Sequence, residues 1–244
     1  MSRALSARCL IVSLVALTCS ALLTTPGLAA AAATPTVSVP GVVQTAALGR
    51  RNTSIRFLDF DHTRAFMSKT TIKGQLATYV NGRPRAVRRV RVKLYRKLDG
   101  ASSWRHVRNS ATGRGGYARF LFRANTRANA TYRVVFGGNA NLQPSNGTTR
   151  VLAHRNIPAQ LENGTGRFHG RVSPNWAHRR IFLEKRPCAS CGWHRARRSQ
   201  TGDRGRFRFS VPAPHQGRWW WRASAPSTTS FIWSYSGVYT TTLR

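Results

Sequence analysis

Two runs, Gly116 to Arg133 (GYARFLFRANTRANATYR) and Gly205 to Arg222 (GRFRFSVPAPHQGRWWWR), carry one pattern at an offset of 89. Each sets apolar residues at alternate positions, stops at a turn cluster and resumes as a second strand-like run. A period of two sends successive side chains to opposite faces of an extended strand. It does not fit a helix, whose apolar face recurs every three to four residues. The same period holds from Asn52 onward, broken by clusters rich in Gly, Asn and Asp, and no stretch reads as an amphipathic helix. The pattern predicts an all-β chain of short antiparallel strands.

In the first copy the strands are expected near Ser54–Leu58, Lys69–Thr78, Arg89–Lys97, Trp104–Arg108, Tyr117–Phe122, Thr131–Phe136 and Thr148–Leu152. Asn81-Gly82, Asp99-Gly100, Gly113 to Gly116 and Gly137-Gly138 supply turns, because these residues accept positive φ at little cost. The inward set is Ile72, Leu76, Val90, Val92, Leu94, Ala118, Phe120, Phe122, Tyr132, Val134 and Phe136. The second copy follows at the same offset: Val92 with Ile181, Trp104 with Trp193, Phe120 with Phe209, Arg133 with Arg222 and Leu142 with Phe231. Upstream, Gly74 matches Gly170 at an offset of 96, which places an insertion in a loop over Tyr79–Val87. Each copy is long enough to close its own core, so the fold class is all-β, two tandem immunoglobulin-like β-sandwich domains after a signal peptide. The boundaries are 1–33 for the signal peptide, 34–52 for a flexible leader, 53–155 for the first sandwich and 156–244 for the second.

The signal peptide rests on Arg3 and Arg8, an uncharged apolar run from Cys9 to Leu23, and an alanine tract from Ala29 to Ala33. That run is too short for a stable membrane span and is flanked as a cleaved export signal is. The chain is therefore expected to be secreted, free in the medium or held at the cell wall, with no transmembrane segment.

The runs GRFRFSVPAP, WWWRASAP and YSGVYTTTLR, with their looser copies upstream, resemble the secreted Ig-like β-sandwich repeats of actinomycetes. The resemblance covers about residues 53 to 244. It implies adhesive, spacer or envelope modules and supplies no catalytic residue.

The chain has 40 Lys and Arg against 6 Asp and Glu, a formal net charge of +34. Such an excess implies attraction to polyanions and poor self-association. Parity decides which cations face out: with Phe207, Phe209 and Val211 inward, Arg206 and Arg208 point outward, as do Trp220 and Arg222 beside inward Trp219 and Trp221. Basic residues recur in both copies at 91 and 180, 96 and 185, 97 and 186, 108 and 197, 119 and 208, and 133 and 222. The candidate polyanion-binding set is Arg91, Arg119, Arg133, Arg180, Arg206, Arg208 and Arg222, with Trp220 as an aromatic contact. The partners expected are wall polymers and acidic polysaccharides, with nonspecific nucleic acid binding as a further case, since no groove-reading motif is present. Binding of this kind weakens with salt.

Two other classes stay open. Trp219 to Trp221 with Trp233, Tyr235 and Tyr239 would make a sugar-stacking platform, and the same surface would dock an accessory subunit on a protein partner. Most of these rings, and Trp104 and Trp193, are expected in the sandwich core. Cys188 and Cys191, at a hairpin tip, are expected as a disulfide in an exported chain. The C-x-x-C spacing also fits a redox pair, but the βαβ setting of such sites is missing. No metal ligand set and no cofactor is expected. Asp59, Asp61 and His62 are the only clustered acid and base, in a polar loop, and no nucleophile, phosphate or dinucleotide motif occurs, so no catalytic residue is assigned and the chain is not expected to be an enzyme.

Overall fold

The computed structural model describes residues 49–174, 176–212 and 217–242. The signal peptide expected over 1–33 and most of the leader over 34–52 lie outside them. Among the described residues there is no α-helix.

The first half contributes β1 (Thr53–Phe57), β2 (Thr63–Ala65), β3 (Lys69–Val80), β4 (Arg83–Ala86), β5 (Arg91–Leu98), β6 (Arg105–Ala111), β7 (Arg119–Asn125), β8 (Ala130–Phe136) and β9 (Ser145–His154). One sheet has β3 between β1 and the pair β4 and β7; the other runs β2-β9-β8-β5-β6. Every pairing is antiparallel except β2 with β9. This is the two-sheet arrangement of an immunoglobulin-like sandwich, with β6 as an extra strand beside β5. The alternation in RFLFRAN of β7 becomes strict exposed and buried alternation. Ile72, Leu76, Val92, Leu94, Phe120, Phe122, Tyr132 and Val134 form the inter-sheet core. Each such side chain contributes roughly 1.5–3 kcal/mol by leaving water. Of the expected inward set only Val90 is half-buried, because it ends the turn into β5.

The insertion expected as a loop over Tyr79–Val87 continues the sheet instead. β3 and β4 form a hairpin closed by Asn81 and Gly82, at φ of 50° and 72°, both left-handed as a two-residue hairpin turn requires. The short strand β2 was not expected from the sequence either.

The second half contributes β10 (Ala159–Leu161), β11 (Arg167–Arg171), β12 (Arg180–Arg186), β13 (His194–Gln200), β14 (Arg206–Ser210), β15 (Arg218–Ala225), β16 (Ser234–Tyr235) and β17 (Tyr239–Thr242). Its sheets are β10-β11-β14 and β13-β12-β15, with β16 and β17 sharing the far side of β15. A separate core gathers Phe168, Ile181, Leu183, Phe207, Phe209 and Trp221. Trp221 is fully buried, and its indole N–H donates to Thr241 Oγ1 at 2.9 Å, which satisfies the polar atom that so large a ring carries inward.

Strand register corrects one internal match. Gly74 lies opposite Phe120, and Gly170 lies opposite Phe207. A Cβ at Gly74 would stand 2.3 Å from Phe120 Cζ, and one at Gly170 would stand 2.7 Å from Phe207 Cζ. Phe120 therefore corresponds to Phe207, not Phe209, and Arg119 to Arg206, not Arg208. The turn from Gly113 to Ala118 is two residues longer than its counterpart from Gly202 to Gly205: the Leu76 N–H donates to Ala118 O, and the Val172 N–H to Gly205 O.

The loop between β15 and β16 joins the halves. Asn129, between β7 and β8, donates its backbone N–H to Ser230 O at 2.7 Å and its side-chain N–H to Thr229 O at 3.0 Å. The same side chain accepts from the Ala153 N–H at 2.8 Å. Phe231 packs with Ala128 and Ala153, against Phe66 and Leu98. Arg155 is 4% exposed. Its guanidinium carbon lies 3.9 Å from the Trp176 ring and 4.4 Å from the Phe231 ring, and its nitrogens donate to Thr228 Oγ1 at 3.1 Å and Pro226 O at 3.4 Å. With no carboxylate beside it, burial lowers its pKa to about 10, so it remains a cation at neutral pH.

Candidate functional site

The seven candidate arginines do not share one face. Arg119 on β7, and Arg206 and Arg208 on β14, project from the outer faces of the smaller sheets and are exposed. Arg91 on β5, Arg180 on β12, Arg133 on β8 and Arg222 on β15 belong to the outer faces of the larger sheets. Of these four, Arg91 and Arg180 are exposed, while Arg133 and Arg222 are half-buried.

Aromatic rings hold the two half-buried arginines. The Arg222 guanidinium carbon lies 4.2 Å from the Trp193 ring and 3.8 Å from the Tyr235 ring. Beyond Trp193 comes Arg186 at 4.7 Å, and beyond Arg186 comes Trp220 at 5.9 Å. The result is an alternating ladder, Tyr235, Arg222, Trp193, Arg186, Trp220, across the outer face of the larger sheet. Glu184 lies opposite Arg222 in the register, accepting from its Nε at 2.7 Å and from Ser224 Oγ at 2.6 Å. The first half repeats a shorter version, with Arg133 at 4.4 Å from Trp104 and 5.8 Å from Tyr95, and Lys97 at 5.5 Å from Trp104. Trp104 and Trp193 are thus outer-face rings covered by arginine, not the core residues expected. Trp220 is half-buried at the ladder's end. On the same face Phe182 is buried under Arg195, at 3.9 Å, and stacks on Trp233 at 6.1 Å.

Two concavities lie along the edge where the two sheets of each sandwich meet. One, of about 800 Å³, includes Arg206 and Arg208 of the candidate set with His169, Arg171, Gln160 and Gln200. Its His169 ring Nδ1 is 3.4 Å from Glu162 Oε1. The other, of about 530 Å³, opens between β6 and β7, and its cations are Lys69, Arg96, Arg108, Arg123 and Arg127, with His106. None of these five was chosen from the sequence, although Arg96 and Arg108 recur between the copies. The signal that finds Arg123 is parity, since β7 points Arg119, Leu121, Arg123 and Asn125 to one side.

Of the Asp59, Asp61 and His62 group, Asp61 and His62 are engaged in structural contacts. Asp61 accepts from the Thr63 N–H at 3.0 Å and pairs with Arg64 at 3.2 Å. His62 Nδ1 faces Arg150 O at 2.9 Å, with its ring 4.3 Å from that of Phe60. Cys188 and Cys191 form a disulfide. Among the described residues no three His, Cys, Asp or Glu side chains gather as a metal site, and no helix is long and apolar enough to cross a membrane.

No protein-family model and no curated protein matches the chain. Among solved structures it is similar to a marsupial T cell receptor at 9% identity and a TM-score of 0.30, covering 76% of this chain and 63% of that one. It is similar to Salmonella alpha-2-macroglobulin at 10% identity and 0.31, covering 78% of this chain and 15% of that one. The tandem Ig repeats of Dlar match at 11% identity and 0.27, covering 79% and 97%. The chain thus spans less than two thirds of the first two.

Proposed function

We propose that this chain is a noncatalytic, exported protein of two Ig-like modules, 53–155 and 156–244, that associates with anionic polymers of the cell envelope or its surroundings. The observation that carries the reading is the distribution of charge over rigid strands. Of the six carboxylates, Asp61, Asp99, Glu162 and Glu184 each already pair with an arginine of the chain, and Asp203 lies 3.1 Å from His178 Nε2. Exposed Arg91, Arg119, Arg180, Arg206 and Arg208 have no such partner among the described residues. Each of the five sits on a strand whose backbone is already paired within its sheet, so binding a chain of negative charges costs little additional backbone ordering.

Within the candidate set the functional weight falls on these five. Arg133 and Arg222 are committed to rings, and Arg222 to Glu184 as well. Trp220 shares that commitment, which leaves the aromatic reading without the platform that its sequence run offered.

The reading is tested by retention of the full chain on washed cell walls and on beads bearing an acidic or a neutral polysaccharide. Retention by walls and acidic beads, and none by neutral beads, is expected. Retention by neutral beads with a matching shift in tryptophan fluorescence would replace it with carbohydrate stacking.

A further inference from the structure

The cleft between β6 and β7 is unlike the rest of the basic surface. Five cations, Lys69, Arg96, Arg108, Arg123 and Arg127, converge on one concavity with no carboxylate in its lining. None of the five belongs to an ion pair of the described residues. Arg96 is fixed from below: its Nη1 donates to Asn125 O at 3.2 Å, which ties β5 to β7. It also lies against Tyr132, whose phenol is pushed above its usual value by burial while Arg96 pulls it back. Arg108, Arg123, Arg127 and Lys69 are exposed around it, and Val107 and Ala124 supply apolar walls. A concave site with low-dielectric walls focuses the potential of such a cluster. Like charges so arranged repel until counter-charges enter.

We propose that this cleft binds a linear phosphate polymer, holding successive phosphate groups between the guanidinium forks of Arg108, Arg123 and Arg127. The proposal rests on the polyanion reading and gives it a ligand class and a place. Two parallel N–H donors of a guanidinium match two oxygens of one phosphate. Convergence of five cations calls for negative charges at close spacing, which an anhydride-linked phosphate chain, with one charge on every phosphorus, supplies most densely; poly(glycerol phosphate) and a uronic acid polymer space their charges more widely. No Trp, Tyr or Phe lines the cleft, and its one ring, His106, is engaged edge-on with Tyr95 at 5.4 Å and with Asn109 Oδ1 at 2.9 Å, so a base or a pyranose face finds no aromatic platform. Recognition is of the charged backbone alone.

The test is calorimetric binding of the full chain to inorganic polyphosphate, poly(glycerol phosphate) and polyglucuronate at low salt. Two triple variants remove the same charge: R108Q/R123Q/R127Q in the cleft, and R83Q/R114Q/R198Q at exposed positions elsewhere. The cleft variant is expected to bind at least one phosphate polymer about tenfold or more weakly than the other triple variant does, and to lose about two units of salt slope, at roughly 0.7–0.9 per phosphate contact. Which phosphate polymer responds assigns the source. The two variants should lose polyglucuronate binding equally. Single R123Q, at an exposed strand position, repeats the effect in smaller measure should the triple variant unfold. Equal loss in both triple variants on the phosphate polymers overturns the site and leaves the general reading standing. Absence of binding by the unaltered chain to all three polymers overturns both.

Discussion

Arg222 lies over Trp193, its guanidinium carbon 4.2 Å from the ring centroid, while its Nε donates to Glu184 at 2.7 Å. The contact joins β12, β15 and the residue just before β13, on a face that would otherwise expose a tryptophan. Its counterpart, Arg133 on Trp104 at 4.4 Å, does the same with Tyr95 in place of a carboxylate. The two sites are the same device with and without an ion pair.

That difference sets an order of stabilities. Arg222→Ala strands Glu184, whose side chain is 12% exposed, and should cost about 3 kcal/mol, as removal of one partner from a largely buried pair does. Arg133→Ala loses only the ring contacts, at about 1 kcal/mol. Urea unfolding of the two variants measures the order; equal losses would show that Glu184 is not held by Arg222.

Arg155 should couple the two sandwiches. It ends the first half as a buried cation and packs against Trp176 and Phe231, both of the second. Arg155→Ala opens that layer and is expected to cost about 3 kcal/mol and to split one calorimetric transition into two. Arg155→Met refills the volume and should keep a single transition. Two transitions in the unaltered chain would contradict the coupling.

His154 predicts a pH dependence. Burial lowers its pKa from the usual 6.5, and the weaker attraction of Asp61 opposes the shift. Between its folded value and 6.5 the unfolded chain binds more protons, so stability rises with pH in that window and is lost as the solution is acidified through it. Above 6.5 the effect is complete. Urea midpoints across this range should show a slope that His154→Asn removes; an unchanged slope in the variant would assign it to another group.

The Cys188–Cys191 disulfide closes a very short loop at the tip between β12 and β13. Chain entropy gives such a loop about 2 kcal/mol. Reduction is expected to lower the urea midpoint modestly and leave the circular dichroism of the strands unchanged. Loss of the strand signal would mean that the tip holds the sheet together.

Parity made much of this fold legible. Phe120, Phe122, Tyr132, Trp221 and their neighbours fall inward because alternation is local and survives any detail of the turns. The match of Arg119 to Arg208 failed for the same reason: the extra two residues in the turn after Gly113 preserve parity, so the slip is invisible until Gly74 and Gly170 fix the register. Trp104 and Trp193 were misplaced because hydrophobicity alone does not tell a core ring from one roofed by arginine. The joint between the halves was illegible, since the β15–β16 loop has no period and Asn129 and Arg155 acquire partners only when distant strands meet. The phosphate cleft draws on five elements and gave no contiguous signal.

Electrostatic association is tested most directly by the salt dependence of binding to an anionic polymer. The logarithm of the binding constant should fall linearly with the logarithm of salt concentration, with a slope of about −3 or steeper, each contact adding roughly 0.7–0.9. Affinity that stays level from low to high salt would contradict the account.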